Sequence, residues 1–323
     1  MSRLTQQAAT AAAPVPEREL SVLSADGKRV NVELHGPEDA PAVVLAHGWT
    51  CNTRFWDAQI HALSADHRVI AYDQRGHGRS PAAGPDGYST RALADDLEAV
   101  LRATLEPGRK AVLAGHSMGG MTIMAAAGRD AVREHGAAVL LCSTGSSRLT
   151  AESLVLPLRA GALRTRMTAA VLAARAPLGP VNAVSRSVLK YATMGRGSAP
   201  DRVDTCARIV HACPRGARVA WGRVLADLDL EAGVRELRLP TAVIAGTEDR
   251  LTPPVHARAI EAALPNGLGL TVLAGMGHMT PVEAPEVVTE KLRELAAGYV
   301  TVEGAVAVDA VDGAGAVGEE EVA

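Results

Sequence analysis

Short apolar runs alternate along the chain with longer segments whose apolar residues recur at helical spacing. Continuous apolar runs of this length are typical of parallel strands that are buried on both faces of a sheet. The runs cover residues 42–48, 68–73, 110–116, 137–143, 241–246 and 268–275. The pattern therefore predicts a series of buried strands through most of the chain.

Helical segments separate most of these runs, and one further pair of strands precedes them. Residues 20–36 predict a hairpin, because Asp26-Gly27 is a strong two-residue turn signal. The predicted helices cover residues 54–64, 90–104, 118–129, 253–264 and 284–298. Strands that alternate with helices favour an α/β fold, here a mostly parallel eight-stranded sheet with helices on both faces.

One interval breaks this alternation. Residues 146–230 contain no comparable apolar run but several helical patterns, including 151–175 and 202–228. A helical insertion of this length between two strands predicts a cap over the core. We therefore expect an α/β core formed by residues 18–145 and 231–301, with the cap formed by 146–230.

Both ends of the chain are low in complexity, so residues 1–17 and 302–323 are predicted to be disordered tails. The second tail carries six acids and no base, which leaves 33 bases against 30 acids on the rest of the chain. The rest therefore has a net charge of +3, against −3 for the whole chain. Neither net charge favours nucleic acid as a partner, and the sequence shows no basic cluster that would bind it.

Composition narrows the protein class further. Hydrophobic residues make up 47% of the chain but aromatic residues only 2%, so the core and any pocket should be mainly aliphatic. The four cysteines show no C-x-x-C spacing, which disfavours a zinc site and favours free thiols in a reducing compartment. The sequence contains no uninterrupted stretch of about 18 apolar residues, so no membrane span is predicted, and no secretory signal is recognised. The expected location is cytoplasmic.

Five polar side chains lie at or just after the ends of predicted strands, along one predicted edge of the sheet. They belong to His47, Asp73, Ser117, Asp249 and His278. Ligands of open parallel sheets bind outside the carboxyl ends of the strands. This edge is therefore the candidate active site.

Ser117 lies between Gly115 and Gly119, directly after a predicted strand and before a predicted helix. The glycines are compatible with a simple loop, but also with a tight strand-turn-helix that holds a nucleophile in strained geometry. The position between strand and helix favours the second interpretation. The start of the helix would also direct free N–H groups at charge that develops beside the serine.

A serine nucleophile needs a base, and the base needs a group that orients it. His278 lies on a glycine-flanked loop after the last strand, and Asp249 follows the preceding strand. Asp249 is the predicted partner of His278, with Glu248 and Asp73 as alternatives. The order Ser–Asp–His along the chain matches that described for α/β-hydrolases.

Acyl transfer also requires donors for the oxyanion. The backbone N–H of Met118 is one candidate, and the N–H of Trp49, in the loop after residues 42–48, is the other. His47, His77 and His116 are expected to have structural roles.

Five motifs carry a resemblance to a known family. They are HGW at 47–49, YDQRGHGRS at 72–80, GHSMGG at 115–120, AGTEDRLTP at 245–253 and GMGHM at 275–279. With them the chain resembles the α/β-hydrolase superfamily, in particular its capped serine esterases and cofactor-free, haloperoxidase-like perhydrolases, over about residues 18–300. The resemblance implies a triad of Ser117, Asp249 and His278, oxyanion donors at Trp49 and Met118, and no metal or organic cofactor. Haloalkane dehalogenases and epoxide hydrolases have Asp at the position of Ser117, which disfavours those reactions.

The predicted function is serine-dependent hydrolysis of a small-molecule ester with a small or medium apolar acyl group. Lactone, C–C or thioester cleavage and perhydrolysis remain open on the same triad, as does a non-catalytic ligand-binding protein. The apolar acyl group is inferred from aliphatic residues of the insertion. These are Leu154, Leu158, Met167, Val171, Leu172, Val184 and Leu189. The oligomeric state is left open.

Overall fold

This computed structural model describes residues 14–84 and 86–300. The predicted tail at 302–323 and residues 1–13 of the other predicted tail lie outside the described residues. No helix in the described part of the chain is long and apolar enough to cross a membrane.

An eight-stranded sheet forms the centre of the described chain and confirms the predicted fold class. Its strands are β1 (Arg18–Leu23), β2 (Arg29–His35), β3 (Ala42–Ala46), β4 (Arg68–Asp73), β5 (Ala111–His116), β6 (Gly136–Cys142), β7 (Thr241–Gly246) and β8 (Gly267–Leu273). Their spatial order is β1-β2-β4-β3-β5-β6-β7-β8. Strand β2 pairs antiparallel with β1 and β4, and all other pairs are parallel.

The register aligns the carboxyl ends of the parallel strands along one edge of the sheet. Ala46 at the end of β3 pairs with Tyr72 of β4 and Gly115 of β5, and His116 pairs with Cys142 at the end of β6. Residues that follow these strands are therefore brought together although they are far apart in the chain.

Helices are numbered in chain order around this sheet. They are α1 (Asp57–Leu63), α2 (Thr90–Thr104), α3 (Met118–Ala125), α4 (Asp130–His135), α5 (Leu149–Glu152), α6 (Ala162–Leu172), α7 (Ala183–Thr193), α8 (Pro200–Ala212), α9 (Arg215–Ala226), α10 (Glu231–Glu236), α11 (Pro254–Ala263), α12 (Thr280–Glu283) and α13 (Pro285–Tyr299). A 3-10 turn, Thr53–Trp56, precedes α1.

Alternate residues of the central strands face two separate apolar cores. Val44 and Leu113 pack with α2 and α3 on one face, whereas Val43 and Val112 pack with α1 and α13 on the other. Because side chains alternate along a strand, a strand that is covered on both sides must be apolar throughout. This explains the continuous apolar runs in the sequence.

Strand β8 differs from the prediction that it is buried on both faces. Its residues are exposed or half-buried, because β8 has a partner, β7, on one side and ends the sheet on the other. A run of alternating glycine and aliphatic residues does not distinguish a central strand from an edge strand.

The insertion 146–230 contains α5 to α9 and, among its described residues, no strand. An isolated antiparallel bridge between Ser147 and Asp229 joins its two ends. The helical pattern predicted over 151–175 is divided, since Pro157 and Gly161, at φ +149°, separate α5 from α6. Helix α7 was not singled out in the sequence.

Candidate active site

Ser117 occupies the sharp turn between β5 and α3. Its φ of 51° and ψ of −116° are strained for a residue with a side chain. A Cβ added at Gly115 would collide with the backbone of Gly119, and one added at Gly119 would collide with the carbonyl oxygen of Ala46. The two flanking glycines thus allow α3 to cross closely over β5 and β3, which holds the serine at the sheet edge.

Asp249 and His278 form a buried hydrogen-bonded pair beside this edge. His278 Nδ1 lies 2.8 Å from Asp249 Oδ2, and the two residues are 3% and 2% exposed. Oδ1 of Asp249 accepts the backbone N–H groups of Leu251 and Thr252, both at 2.9 Å. The Thr252 hydroxyl donates to Asp249 Oδ2 at 2.9 Å. These donors stabilise the carboxylate and fix its direction toward the imidazole.

The alternative carboxylates lie elsewhere. Glu248 accepts the backbone N–H of Arg196 at 2.7 Å and so faces the insertion. Asp73 accepts the backbone N–H groups of Thr53 and Arg79, both at 2.9 Å, and so connects the segments that contain these two residues. Burial raises the pKa of the Asp73 carboxyl. Of the three carboxylates, Asp249 is the one bonded to His278.

Glu283 is a buried carboxylate that the sequence did not single out. It accepts N–H groups from Gly277 and Met279 at 3.1 Å, on either side of His278, and from Gly195 at 2.7 Å. The Ser198 hydroxyl donates to it at 2.6 Å. Glu283 therefore ties the loop that carries His278 to the insertion, and no local sequence signal distinguishes it from a solvated acid at a helix end.

Ser117 and His278 line one cavity of about 270 Å³ between the sheet edge and the insertion. Its walls are mainly aliphatic, as the composition predicts. The aliphatic lining residues are Leu149, Val155, Leu156, Val171, Leu172, Leu178, Leu189, Ala192, Val210, Leu225 and Leu251. Of the seven insertion residues from which an apolar acyl group is inferred, three line this cavity, Val171, Leu172 and Leu189. The other four, Leu154, Leu158, Met167 and Val184, do not line it and are exposed.

The two candidate oxyanion donors lie next to Ser117. Met118 is the first residue of α3, where backbone N–H groups have no partner within the helix. Trp49 lines the cavity, and a Cβ on the preceding Gly48 would lie 3.2 Å from the Ser117 Cβ. The Trp49 indole N–H donates to the carbonyl of Arg218 at 3.0 Å, which anchors the loop to α9.

Three buried histidines around the site hold loops in place. His47 Nε2 accepts the N–H of Gln74 at 3.0 Å, and His77 Nε2 accepts that of Thr50 at 3.1 Å. Burial lowers the pKa of His47 to about 3 and that of His77 to about 4. His116 bonds the carbonyl of His278 at 2.9 Å, and burial holds its pKa well below the usual value. All three are therefore neutral near pH 7, consistent with structural roles.

Comparison with known proteins agrees with this architecture. Residues 43–291 match the model of the alpha/beta hydrolase family, which covers most of the chain. The chain belongs to the alpha/beta hydrolase family. The motifs that carried the resemblance all lie in this hydrolase's core.

Two curated relatives and one solved structure illustrate what this hydrolase is similar to. "Putative carbamate hydrolase RutD" of Stutzerimonas stutzeri is 30% identical over 80% of this chain and 92% of its own length. "Bifunctional esterase/perhydrolase DCH" of Acinetobacter calcoaceticus is 41% identical, but over 31% of this chain and 35% of its own length. The chain thus spans about a third of that relative. The structure of a thermophilic esterase from Thermogutta terrifontis has a TM-score of 0.70 and 25% identity, and the match covers 88% of this chain and 100% of that one.

Proposed function

We propose that this hydrolase cleaves a carboxylic ester through an acyl-enzyme on Ser117. The observation that carries the proposal is the buried Asp249–His278 pair, whose imidazole lines one mainly aliphatic cavity together with Ser117. A turn that holds a serine at strained φ and ψ, followed by a helix N-terminus, is the arrangement typical of such nucleophiles. The esterase names among its relatives support the same chemistry.

In the first half of the reaction, Ser117 Oγ attacks the ester carbonyl carbon and its proton passes to His278 Nε2. His278 Nδ1–H donates a hydrogen bond to Asp249 Oδ2, so that Nε2 carries no proton and is free to act as the base. The N–H groups of Met118 and Trp49 receive the oxyanion of the tetrahedral intermediate. His278 then donates its proton to the leaving alkoxide, and the alcohol departs.

In the second half, a water molecule gives its proton to His278 Nε2 and attacks the acyl carbon. The second tetrahedral intermediate collapses, Ser117 Oγ leaves and recovers the proton from His278, and the carboxylic acid is released.

The cavity supports a small or medium apolar acyl group. Its volume of about 270 Å³ is just below the range of about 300–1,000 Å³ that is usual for small-molecule pockets. Residues of α6, α7, α8 and α9 line it, so we also propose that the insertion 146–230 acts as a cap that selects the acyl chain.

Carbamate hydrolysis is a second candidate, because the relative with 30% identity over most of the chain carries that name. A carbamate carbonyl can be attacked by the same serine and stabilised by the same donors. Lactone, thioester or C–C cleavage and perhydrolysis use the same triad. A panel with one compound of each class, compared by kcat/KM, ranks these reactions.

Labelling with a fluorophosphonate tests the nucleophile. We expect wild type to be labelled at Ser117 and Ser117→Ala to be unlabelled. Ser153→Ala is the matched control, since Ser153 is also buried in the cavity wall but its hydroxyl donates to the carbonyl of Arg250. A series of p-nitrophenyl esters from acetate to dodecanoate then measures the acyl pocket. Absence of labelling in wild type would contradict the proposal and favour a ligand-binding protein without turnover.

A further inference from the structure

One charged side chain interrupts the aliphatic wall of the cavity. Arg218, in the first turn of α9, is 6% exposed and is the single Arg, Lys, Asp or Glu among the described residues that line the cavity. A guanidinium cannot lose its charge by deprotonation near neutral pH, so it remains a cation in this apolar setting.

Part of the hydrogen-bonding capacity of Arg218 has no partner among the described residues. One terminal nitrogen donates to the carbonyl of Ala176, but Nε is buried with no partner among the described residues. No carboxylate in the described part of the chain forms an ion pair with Arg218. Burying an unpaired charge is unfavourable, and an oxygen acceptor that arrives with a ligand would offset that cost.

A second unused donor lies on the neighbouring helix. Thr168 of α6 lines the same cavity, is 5% exposed, and its hydroxyl has no partner among the residues that the structure describes. Helices α6 and α9 pack against each other. Two adjoining helices of the insertion thus each contribute to a mainly aliphatic lining one residue with a buried, unpartnered polar atom: the guanidinium Nε of Arg218 and the hydroxyl of Thr168.

We infer that Arg218 and Thr168 bind a carboxylate at the far end of the acyl chain. The substrate class is then a half-ester of an aliphatic dicarboxylic acid: the ester carbonyl lies at Ser117, the methylenes lie along the aliphatic walls, and the carboxylate reaches Arg218. A planar carboxylate matches a guanidinium, because two parallel N–H groups can donate to its two oxygens. This inference rests on the proposed function and specifies its substrate.

Two esters of equal length test the charge preference. Monomethyl adipate carries the terminal carboxylate, and methyl 6-amino-6-oxohexanoate replaces it by a neutral amide of nearly the same shape. Loss of one partner of a buried charged pair costs about 2 kcal/mol or more. We therefore expect wild type to favour the acid over the amide by about 30-fold or more in kcat/KM.

Arg218→Met should reduce this ratio by at least about tenfold, since Met fills similar space without charge or donors. Arg164→Met is the matched control. Arg164 is also buried, at 7% exposure, with an unpartnered Nε, but it does not line the cavity. The control should keep the wild-type ratio within about threefold.

Binding of both compounds to Ser117→Ala, measured by calorimetry, gives a readout that does not depend on turnover. Tighter binding of the acid than of the amide supports the inference even if no ester is hydrolysed, which would count against the proposed function alone. Equal or weaker binding of the acid, or hydrolysis of the amide ester at an equal or higher kcat/KM in wild type, would overturn it. Equal loss of preference in the Arg164 and Arg218 variants would also overturn it.

Discussion

Asp249→Asn should abolish most activity while leaving the fold intact, and the hydrogen bonds show why. Oδ1 of Asp249 accepts two backbone N–H groups, from Leu251 and Thr252, each at 2.9 Å. In the variant the amide oxygen must keep this position, because an NH₂ group cannot accept from them. The amide nitrogen then faces His278 Nδ1, where the oxygen Oδ2 lies at 2.8 Å in the native protein.

That nitrogen donates where the native oxygen accepts. His278 Nδ1 must therefore become an acceptor, which moves the imidazole proton to Nε2. An imidazole protonated at Nε2 cannot take the proton of Ser117. In a serine protease with the same arrangement the wrong tautomer lowers kcat by about ten-thousand-fold, and we expect a loss of that order here.

The assay is steady-state hydrolysis of the best p-nitrophenyl ester, together with urea unfolding. The free energy of unfolding should fall by no more than about 2 kcal/mol, since size and most hydrogen bonds are kept. Glu248→Gln is the matched control, because this neighbouring carboxylate bonds Arg196 instead of His278, and it should keep near wild-type kcat. Activity of Asp249→Asn within tenfold of wild type would refute the assignment.

Three further predictions concern the framework of the site. Gly119→Ala should lower the free energy of unfolding by about 1–3 kcal/mol, since the added methyl group collides with the backbone of β3. Gly298→Ala, in open space on α13, should be neutral or stabilising when both variants are compared by thermal unfolding. Glu283→Gln should lower kcat and stability, because it removes the negative charge that accepts the N–H groups on both sides of His278. Glu286→Gln, at an exposed position, should change neither, and equal effects of the two variants would contradict this role. Burial lowers the pKa of His47 to about 3, that of His77 to about 4 and that of His116 well below its usual value, so the unfolded chain binds these protons first. Stability should therefore fall as the pH drops below about 6.5, with each of the three buried histidines contributing about 1.4 kcal/mol per pH unit while it stays neutral in the folded protein. Urea unfolding between pH 7.5 and 4.5 checks it, and stability that does not fall on acidification would contradict it.

Features that depend on near neighbours could be predicted from the sequence. The turn at Ser117 follows from glycines two residues away, and the central strands follow from their own apolar runs. Position at the end of a parallel strand also brought Asp249 and His278 to the same edge as Ser117, because register aligns these ends regardless of distance along the chain.

Features that depend on contacts between distant segments could not be predicted. Glu283 meets Gly195 and Ser198 across more than 80 positions. Arg218 faces the cavity only because the insertion folds back over the sheet edge. Similarly, Leu154 and Val184 are apolar, but both are exposed and neither lines the cavity. Which apolar residues of the insertion face the cavity depends on how the insertion packs and not on their hydrophobicity.

Trapping the acyl-enzyme shows whether Ser117 is the nucleophile. Wild type and Ser117→Ala are mixed with the best ester substrate, quenched in acid within the first turnovers, digested, and mapped by mass spectrometry. We expect an acyl adduct on the peptide that contains Ser117 in wild type, and none on that peptide in the variant. Rapid ester turnover with no adduct at Ser117 would contradict the assignment of Ser117 as the nucleophile. An acyl adduct that forms equally in Ser117→Ala would also contradict it.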